Sequence, residues 1–167
     1  PAATLDRWRA LWRAGGLDIR FSVNVPTRTL LDHHLSETIR VGLDRFAIPP
    51  TSLQLEITES RLLAGLGCAR TVLGELRAMG VTIAIDDFGT GFSALSQLQQ
   101  LPVDEIKIDR SFVASMEADH DDAVLVRSII ELARNLGLRV TAEGVETASV
   151  HHTLRELGCD YAQGFHI

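Results

Sequence analysis

Residues 81–93 read VTIAIDDFGTGFS, an aliphatic run that ends in two adjacent aspartates and is followed by two glycines one residue apart. The run predicts a buried strand, and two like charges at its end repel one another unless a cation holds them ionised. In a barrel of parallel strands, side chains at the carboxyl ends of the strands converge on one mouth. The stretch therefore predicts a divalent-metal site, with Asp86 and Asp87 as ligands, at the mouth of a barrel.

The composition is that of an ordinary globular domain, with 167 residues, 46% hydrophobic and 23% charged. Lys and Arg total 16 against 22 Asp and Glu, and the net charge of -6 argues against binding to a DNA or RNA polymer. Cys68 and Cys159 lie far apart without a CxxC pattern, which favours reduced thiols and a cytoplasmic location. No apolar run here approaches the ~18 residues of a membrane span. The alternative location is the cytoplasmic portion of a membrane-bound parent.

Short β-rich runs alternate with helical stretches along the chain, which is typical of α/β folds with a parallel sheet. Six strands are predicted, at residues 19–25, 53–57, 81–86, 105–109, 139–143 and 161–164. Helical periodicity predicts helices at residues 121–136, 66–79 and 5–14. The chain should therefore consist of repeated β/α units.

Side-chain parity favours a barrel over a doubly wound open sheet, because alternate strand residues face opposite sides. One set is aliphatic and comprises Val23, Val25, Leu55, Ile57, Ile83, Ile85, Ile106 and Ile108. The other set is polar or small and comprises Ser22, Asn24, Gln54, Glu56, Thr82, Ala84, Asp86, Glu105, Lys107, Asp109, Thr141 and Glu143. An open sheet with helices on both faces would bury the second set unpaired, at a cost of several kcal/mol per ion. We therefore predict a TIM-like (β/α) barrel, and since a complete one takes about 250 residues, this chain should hold about six of its eight units.

Polar side chains recur at the predicted strand ends, at Asn24, Glu56, Asp86, Asp87, Lys107 and Glu143. Oxygen ligands without His or Cys favour Mg²⁺ or Mn²⁺ over zinc. Asp87, one residue past the predicted strand, would turn back to a second ion. Two neighbouring ions are what in-line attack on a phosphodiester uses, and Lys107 would stay protonated and orient water or a phosphate oxygen.

Each of these features has a simpler interpretation. An Asp at a strand end is more often a helix N-cap than a metal ligand, and the glycines Gly89 and Gly91 either cradle a phosphate or only permit a tight loop. Lys107 could be a surface charge, although its parity opposes Ile106 and Ile108. The histidine pairs at 33–34 and 151–152 are expected to be exposed, and Trp8 with Trp12 to pack a helix.

Several segments together resemble the EAL domain family, bacterial phosphodiesterases specific for cyclic di-GMP that have a barrel fold. The resemblance runs through SVNVP, LEITES, AIDDFGTGFSAL, LPVDEIKIDRSFV, TAEGVET and GCDYAQGF. It implies hydrolysis of cyclic di-GMP to linear pGpG with two Mg²⁺ or Mn²⁺ ions. It also implies a homodimer, coupled to the metal site through the loop at 87–95, and a fused sensory or GGDEF domain in the parent protein.

The resemblance also implies a role for each matching residue. The metal ligands would be Asn24, Glu56, Asp86, Asp87 and Glu143, with Asp86 bridging the two ions. The catalytic residues would be Lys107, Glu143 and Gln163, of which Lys107 and Gln163 would also contact the substrate. The site and its loop would be supported by Glu59, Asp109, Glu146, Gly89 and Gly91.

The family's Glu-Ala-Leu segment and a nearby substrate-binding Arg should precede Leu5, and the usual C-terminal continuation should follow residue 167. We therefore expect residues 1–167 to be an EAL domain lacking its N-terminal strands and extreme C-terminus, with weakened or lost turnover. An EAL-fold module that binds cyclic di-GMP or regulates a partner domain without cleavage is the alternative function.

Overall fold

The computed structural model describes residues 20–59, 66–91 and 98–166, and within them the chain forms one parallel sheet. The strands are β1 Phe21–Asn24, β2 Leu53–Thr58, β3 Thr82–Phe88, β4 Glu105–Ile108, β5 Arg139–Glu143 and β6 Tyr161–Gln163. Their spatial order is the same as their order in the chain. A doubly wound sheet would reverse its strand order at a switch point, whereas sequential parallel strands form a curled half-barrel. The prediction of a TIM-like barrel, with six strands present, is confirmed.

Helices connect the strands, as parallel pairing requires. They are α1 Thr27–Leu30, α2 Leu35–Arg45, α3 Leu66–Ala78, α4 Arg110–Ser115, α5 His120–Leu136 and α6 Ala148–Leu157, with a 3-10 turn at Pro50–Ser52. Asp119 caps α5 by accepting hydrogen bonds from the amides of Asp121 and Asp122, and Gly137 ends the helix with a φ of 71°. The helices predicted at 121–136 and 66–79 are confirmed, while the one predicted at 5–14, with Trp8 and Trp12, lies outside the described residues.

The aliphatic parity faces the helices and forms the core. Its buried members include Leu55, Ile57, Ile83, Ile85, Ile106 and Ile108, and α3 packs on β3 while α5 packs on β4 and β5. Val23 was predicted to join this core but is 47% exposed. Its strand β1 is an edge of the described sheet, where a side chain has a neighbouring strand on one side only.

The polar parity lines the concave face of the sheet and is largely buried as well. Gln54, Glu56, Glu105, Lys107 and Thr141 are each 7% exposed or less. Buried polar groups need partners, and Thr141 supplies one by donating a hydrogen bond to Glu105 over 2.7 Å. This concave face leads to the carboxyl ends of the strands.

The histidines at 33–34 and 151–152 are exposed as predicted. Cys159 is a free thiol, and burial raises its pKa to about 11, so it is not a reactive thiolate. Within the described residues, no helix combines the length and the apolar character needed to cross a membrane.

Candidate metal centre

The predicted site residues lie at the carboxyl ends of neighbouring strands. β2 carries Glu56, β3 carries Asp86 and Asp87, β4 carries Lys107, β5 ends at Glu143 and β6 ends at Gln163. The strand register pairs Glu143 with Gln163 and Asn24 with Glu56. Asn24 itself is exposed on the edge strand β1. One edge of the sheet therefore presents all of these side chains.

Lys107 stands at the centre of three carboxylates. Its Nζ lies 2.9 Å from Glu56 Oε1 and 3.3 Å from Asp86 Oδ1, and it forms a third, shorter ion pair with Glu143. Burial opposes the charge on Lys107, but hydrogen bonds to Glu143 and Glu56 outweigh it, so the pKa of the ammonium lies above its ordinary value. The interpretation of Lys107 as a surface charge is wrong, because the residue is only 5% exposed.

Asp87 occupies an irregular position within β3 rather than the end of the strand. We predicted that the strand would stop at Asp86, but it continues to Phe88, and its register with β4 shifts between Ile85 and Phe88. Asp87 adopts a left-handed backbone conformation with a φ of 54°. This conformation costs an L-residue of order 1–3 kcal/mol, and residues that adopt it are common at functional sites. A bulge of this kind places an extra residue in the strand and re-aims its side chain.

The bulge brings Asp86 and Asp87 together with Glu143. Each of the three offers one carboxylate oxygen, and these oxygens lie within 4.8 Å of one another. Asp86 Oδ1 is buried without a hydrogen-bond partner; Lys107 Nζ lies 3.3 Å away, but the pair does not have hydrogen-bond geometry. A buried carboxylate oxygen without a hydrogen bond, within a set of hard oxygen donors, fits a divalent cation such as Mg²⁺ or Mn²⁺.

The electrostatics of the cluster agree with this fit. Burial, followed by the negative charges of Asp86 and Asp109, raises the pKa of Asp87. Burial also raises the pKa of Glu143, and its contacts with Lys107 offset this only in part. One ammonium cannot neutralise all of the neighbouring carboxylates, so additional positive charge would stabilise their ionised forms.

Glu59 organises the loop that follows β3. Its Oε2 accepts hydrogen bonds from the amides of Gly89 over 2.8 Å and of Gly91 over 3.4 Å. Gly89 has a φ of +102°, and a Cβ there would lie 3.0 Å from the ring of Phe112. Because Glu59 already binds both amides, the glycines form a tight loop rather than a phosphate cradle. The rest of the predicted loop, residues 92–95, lies outside the described residues.

Asp109, directly after β4, is a helix N-cap, the simpler interpretation of a strand-end aspartate. It caps α4 by accepting a hydrogen bond from the amide of Ser111 over 2.9 Å. Burial opposes its ionisation, but hydrogen bonds from Ser111 and from Asp87 lower the pKa of Asp109 overall. The N-cap of α4 therefore lies close enough to the carboxyl group of Asp87 to influence its ionisation.

Two clefts adjoin the cluster. A cleft of about 420 Å³ follows the concave face and is lined by Gln54, Glu56, Glu105, Lys107, Thr141 and Gln163, among others. The other, which we call the mouth cleft, measures about 380 Å³ and is lined by Arg110, Glu143, Gly144, Glu146, Gln163, Gly164 and Phe165. Glu146 and Gln163 are both exposed in it. Sequence reasoning missed Arg110, although its position directly after Asp109 and β4 was a usable signal.

Comparison with known proteins agrees with this geometry. The family model of the EAL domain matches residues 2–167. The chain is 42% identical over 160 residues to the bifunctional diguanylate cyclase/cyclic di-GMP phosphodiesterase MucR of Pseudomonas aeruginosa. That match covers 95% of the chain and 23% of MucR, so the chain spans less than a quarter of that relative.

Solved structures resemble the fold closely. The PaMucR phosphodiesterase in complex with c-di-GMP superimposes with a TM-score of 0.88 at 42% identity, covering 96% of this chain and 65% of that chain. A manganese and cyclic di-GMP complex of BlrP1 from Klebsiella pneumoniae gives a TM-score of 0.80 at 31% identity, covering 87% of this chain and 38% of that chain. Relatives of this fold have therefore been solved with both a metal and a cyclic dinucleotide.

Proposed function

The chain belongs to the EAL domain family, and from that premise we propose that it hydrolyses one phosphodiester bond of cyclic di-GMP to give linear pGpG. The observation that carries this proposal is the meeting of carboxylate oxygens from Asp86, Asp87 and Glu143 within 4.8 Å, beside the ammonium group of Lys107. A site with this donor set and an adjacent fixed cation suits the cleavage of a phosphodiester.

Asp86, Asp87 and Glu143 would hold two divalent cations, Mg²⁺ or Mn²⁺, with Glu56 and Asn24 as further ligands. Such ions, when bound, lower the pKa of water and neutralise the charge that develops on the phosphate. The complex of the relative BlrP1 with manganese and cyclic di-GMP supports this assignment. The buried oxygen of Asp86 that lacks a hydrogen bond supports it independently.

The remaining side chains would bind and orient the reactants. Lys107 stays protonated, so it can donate hydrogen bonds to a phosphate oxygen or to the attacking water but cannot accept a proton from either. Gln163 and Glu143 lie opposite one another at the ends of β6 and β5, where Gln163 can contact the substrate. Glu59, Gly89, Gly91, Asp109 and Glu146 would support the site and its loop.

The reaction balances without an oxidant or a second substrate. The oxygen of water forms a bond to phosphorus, and the bond from phosphorus to the sugar 3′ oxygen breaks. That oxygen leaves with a proton, and the product is a linear dinucleotide with a 5′ phosphate.

We also propose that residues 1–167 form a single EAL domain of a larger cytoplasmic protein that acts as a homodimer. The name of MucR, a bifunctional cyclase and phosphodiesterase, supports a fused cyclase (GGDEF) or sensory domain in the parent. The alternative function, binding or regulation without cleavage, is separated from hydrolysis by the experiment below.

The test is cleavage of cyclic di-GMP by the full-length protein with Mg²⁺ or Mn²⁺, with the linear product quantified by chromatography. Asp86→Asn should abolish turnover, because it removes the charge of a carboxylate that is proposed to bind the metal ions. Exposed Asp44→Asn on α2 is the matched control and should not change turnover. A protein that binds cyclic di-GMP without producing pGpG under any of these conditions would be a receptor and not an enzyme.

A further inference from the structure

We propose that Arg110 is a substrate-binding residue that recognises the phosphodiester of the cyclic dinucleotide that is not being cleaved. This inference rests on the proposed function and deepens it. Cyclic di-GMP carries two phosphodiesters, each with one negative charge. Only one of them can lie at the cluster of Asp86, Asp87 and Glu143 in a given turnover, so the other needs a different cationic partner.

The mouth cleft around Arg110 is otherwise acidic. Glu143 and Glu146 line it with Arg110, and Asp109 directly precedes the arginine. An anionic phosphodiester would be repelled by these carboxylates unless a positive charge met it locally. Arg110 is the cation that lines this cleft.

Other nearby cations are already engaged. Lys107 forms ion pairs with Glu56, Asp86 and Glu143. Arg20 and Arg139 lie 3.8 Å and 3.7 Å from Glu105, and neither of them lines the mouth cleft. Arg110 is exposed and forms no ion pair with another described residue. Its guanidinium can therefore offer the two parallel N–H groups that match a phosphate.

The backbone holds Arg110 at a fixed place beside the cluster. Asp109 caps α4 by accepting a hydrogen bond from the amide of Ser111, which fixes the backbone on one side of Arg110. On the other side Gly144, with a φ of +74°, lets the loop after β5 approach so closely that a Cβ there would lie 2.6 Å from Arg110 Cβ. The Cα and Cβ of Arg110 are thus held close to the loop after β5, directly after β4, and β4 and β5 carry Lys107 and Glu143.

The experiment compares two substrates in the full-length protein with Mn²⁺. Cyclic di-GMP has the second phosphodiester, and bis(p-nitrophenyl) phosphate has only the reacting one. Arg110→Ala should raise KM for cyclic di-GMP about tenfold with little change in kcat, the size expected for losing a charge-assisted hydrogen bond. Its kinetics on bis(p-nitrophenyl) phosphate should not change. Arg110→Lys should recover part of the loss, and Arg127→Ala, an exposed arginine on α5, should match the wild type.

Unchanged KM for cyclic di-GMP in Arg110→Ala would overturn the inference while leaving the proposed function intact. Equal losses on both substrates would also overturn it, since that pattern means a general disturbance of the metal site. If the wild type cleaves neither substrate, the proposed function fails. The inference is then decided by calorimetric binding of cyclic di-GMP: a tenfold weaker Kd in Arg110→Ala supports it, and an equal Kd or the absence of wild-type binding overturns it.

Discussion

Lys107 offers the sharpest test of how the site is held together without metal. Its side chain is 7% exposed and contacts Glu56, Asp86 and Glu143. Lys107→Met would leave these carboxylates with no positive charge among them, and removing one partner from a buried ion pair costs about 3–5 kcal/mol. We take the lower end, because protonation of Glu143, whose pKa is already raised, relieves part of the repulsion.

About 3 kcal/mol lowers the Tm of a domain of this size by about 6–12 °C, at roughly 2–4 °C per kcal/mol. The loss should appear in thermal unfolding at pH 8 with EDTA. Saturating Mn²⁺ should raise the Tm of Lys107→Met by more than it raises that of the wild type, because the ions replace the missing charge and no longer compete with the ammonium.

Lys107→Arg is the matched control, since it keeps the charge and should keep most of the stability. The reasoning would be refuted if Lys107→Met and the wild type unfolded at the same temperature in EDTA. It would also fail if Mn²⁺ raised both Tm values by the same amount, because the positive charge of Lys107 and that of the ions would then not substitute for one another.

Three other predictions concern the loop, its support and the acidic cluster. Gly89→Ala should destabilise the protein by about 1–3 kcal/mol in urea unfolding, because the φ of Gly89 is +102° and the ring of Phe112 would lie 3.0 Å from the new Cβ. The control Gly74→Ala on α3, whose new Cβ would meet nothing within 4 Å, should stabilise the protein by up to about 1 kcal/mol. Equal changes in unfolding free energy for the two variants would contradict this account. Glu59→Gln should weaken Mn²⁺ binding measured by calorimetry, because the amides of Gly89 and Gly91 lose a charged acceptor, and an unchanged Kd would show that the loop does not position the ligands. The folded protein raises the pKa values of Asp87 and Glu143, so without bound metal these two groups stabilise the fold below their unfolded pKa values of about 4. That stabilisation is lost as the pH rises through their folded pKa values. Because Mn²⁺ binds the ionised carboxylates, its affinity should fall as the pH is lowered through the same window, and a pH-independent affinity would contradict this prediction.

Much of the fold could be predicted from the sequence, because the spacing of apolar residues indicates which face of each strand or helix is buried. The alternation of Ile106 and Ile108 with Lys107 distinguished a polar concave face from an apolar helix-covered one, and the structure confirms that distinction. The helix ends could also be predicted, since Asp121, Asp122 and Gly137 indicated the ends of α5 to within one residue. These signals are local, so they survive without knowledge of tertiary contacts.

The sequence was less informative where the backbone departs from regular geometry. Nothing in the residues 81–88 shows that β3 continues past Asp86, because an Asp in a left-handed bulge looks like an Asp in a turn. Glu59 accepts hydrogen bonds from the amides of the loop glycines, and this contact joins residues about thirty positions apart in the chain, which a local sequence pattern does not show. Arg110 could not be predicted from the strand-end pattern, because that pattern identifies metal-ligating residue types and an arginine is not one.

The bulge at Asp87 limits how this site can be tuned. Asp86 and Asp87 are neighbours in the chain, so their Cα atoms stay about 3.8 Å apart whatever the rest of the protein does. Glu143 sits two strands away, with β4 between them. A slide of β5 against β3 would therefore change the distance from Glu143 to the two aspartates while leaving the Cα spacing of Asp86 and Asp87 unchanged.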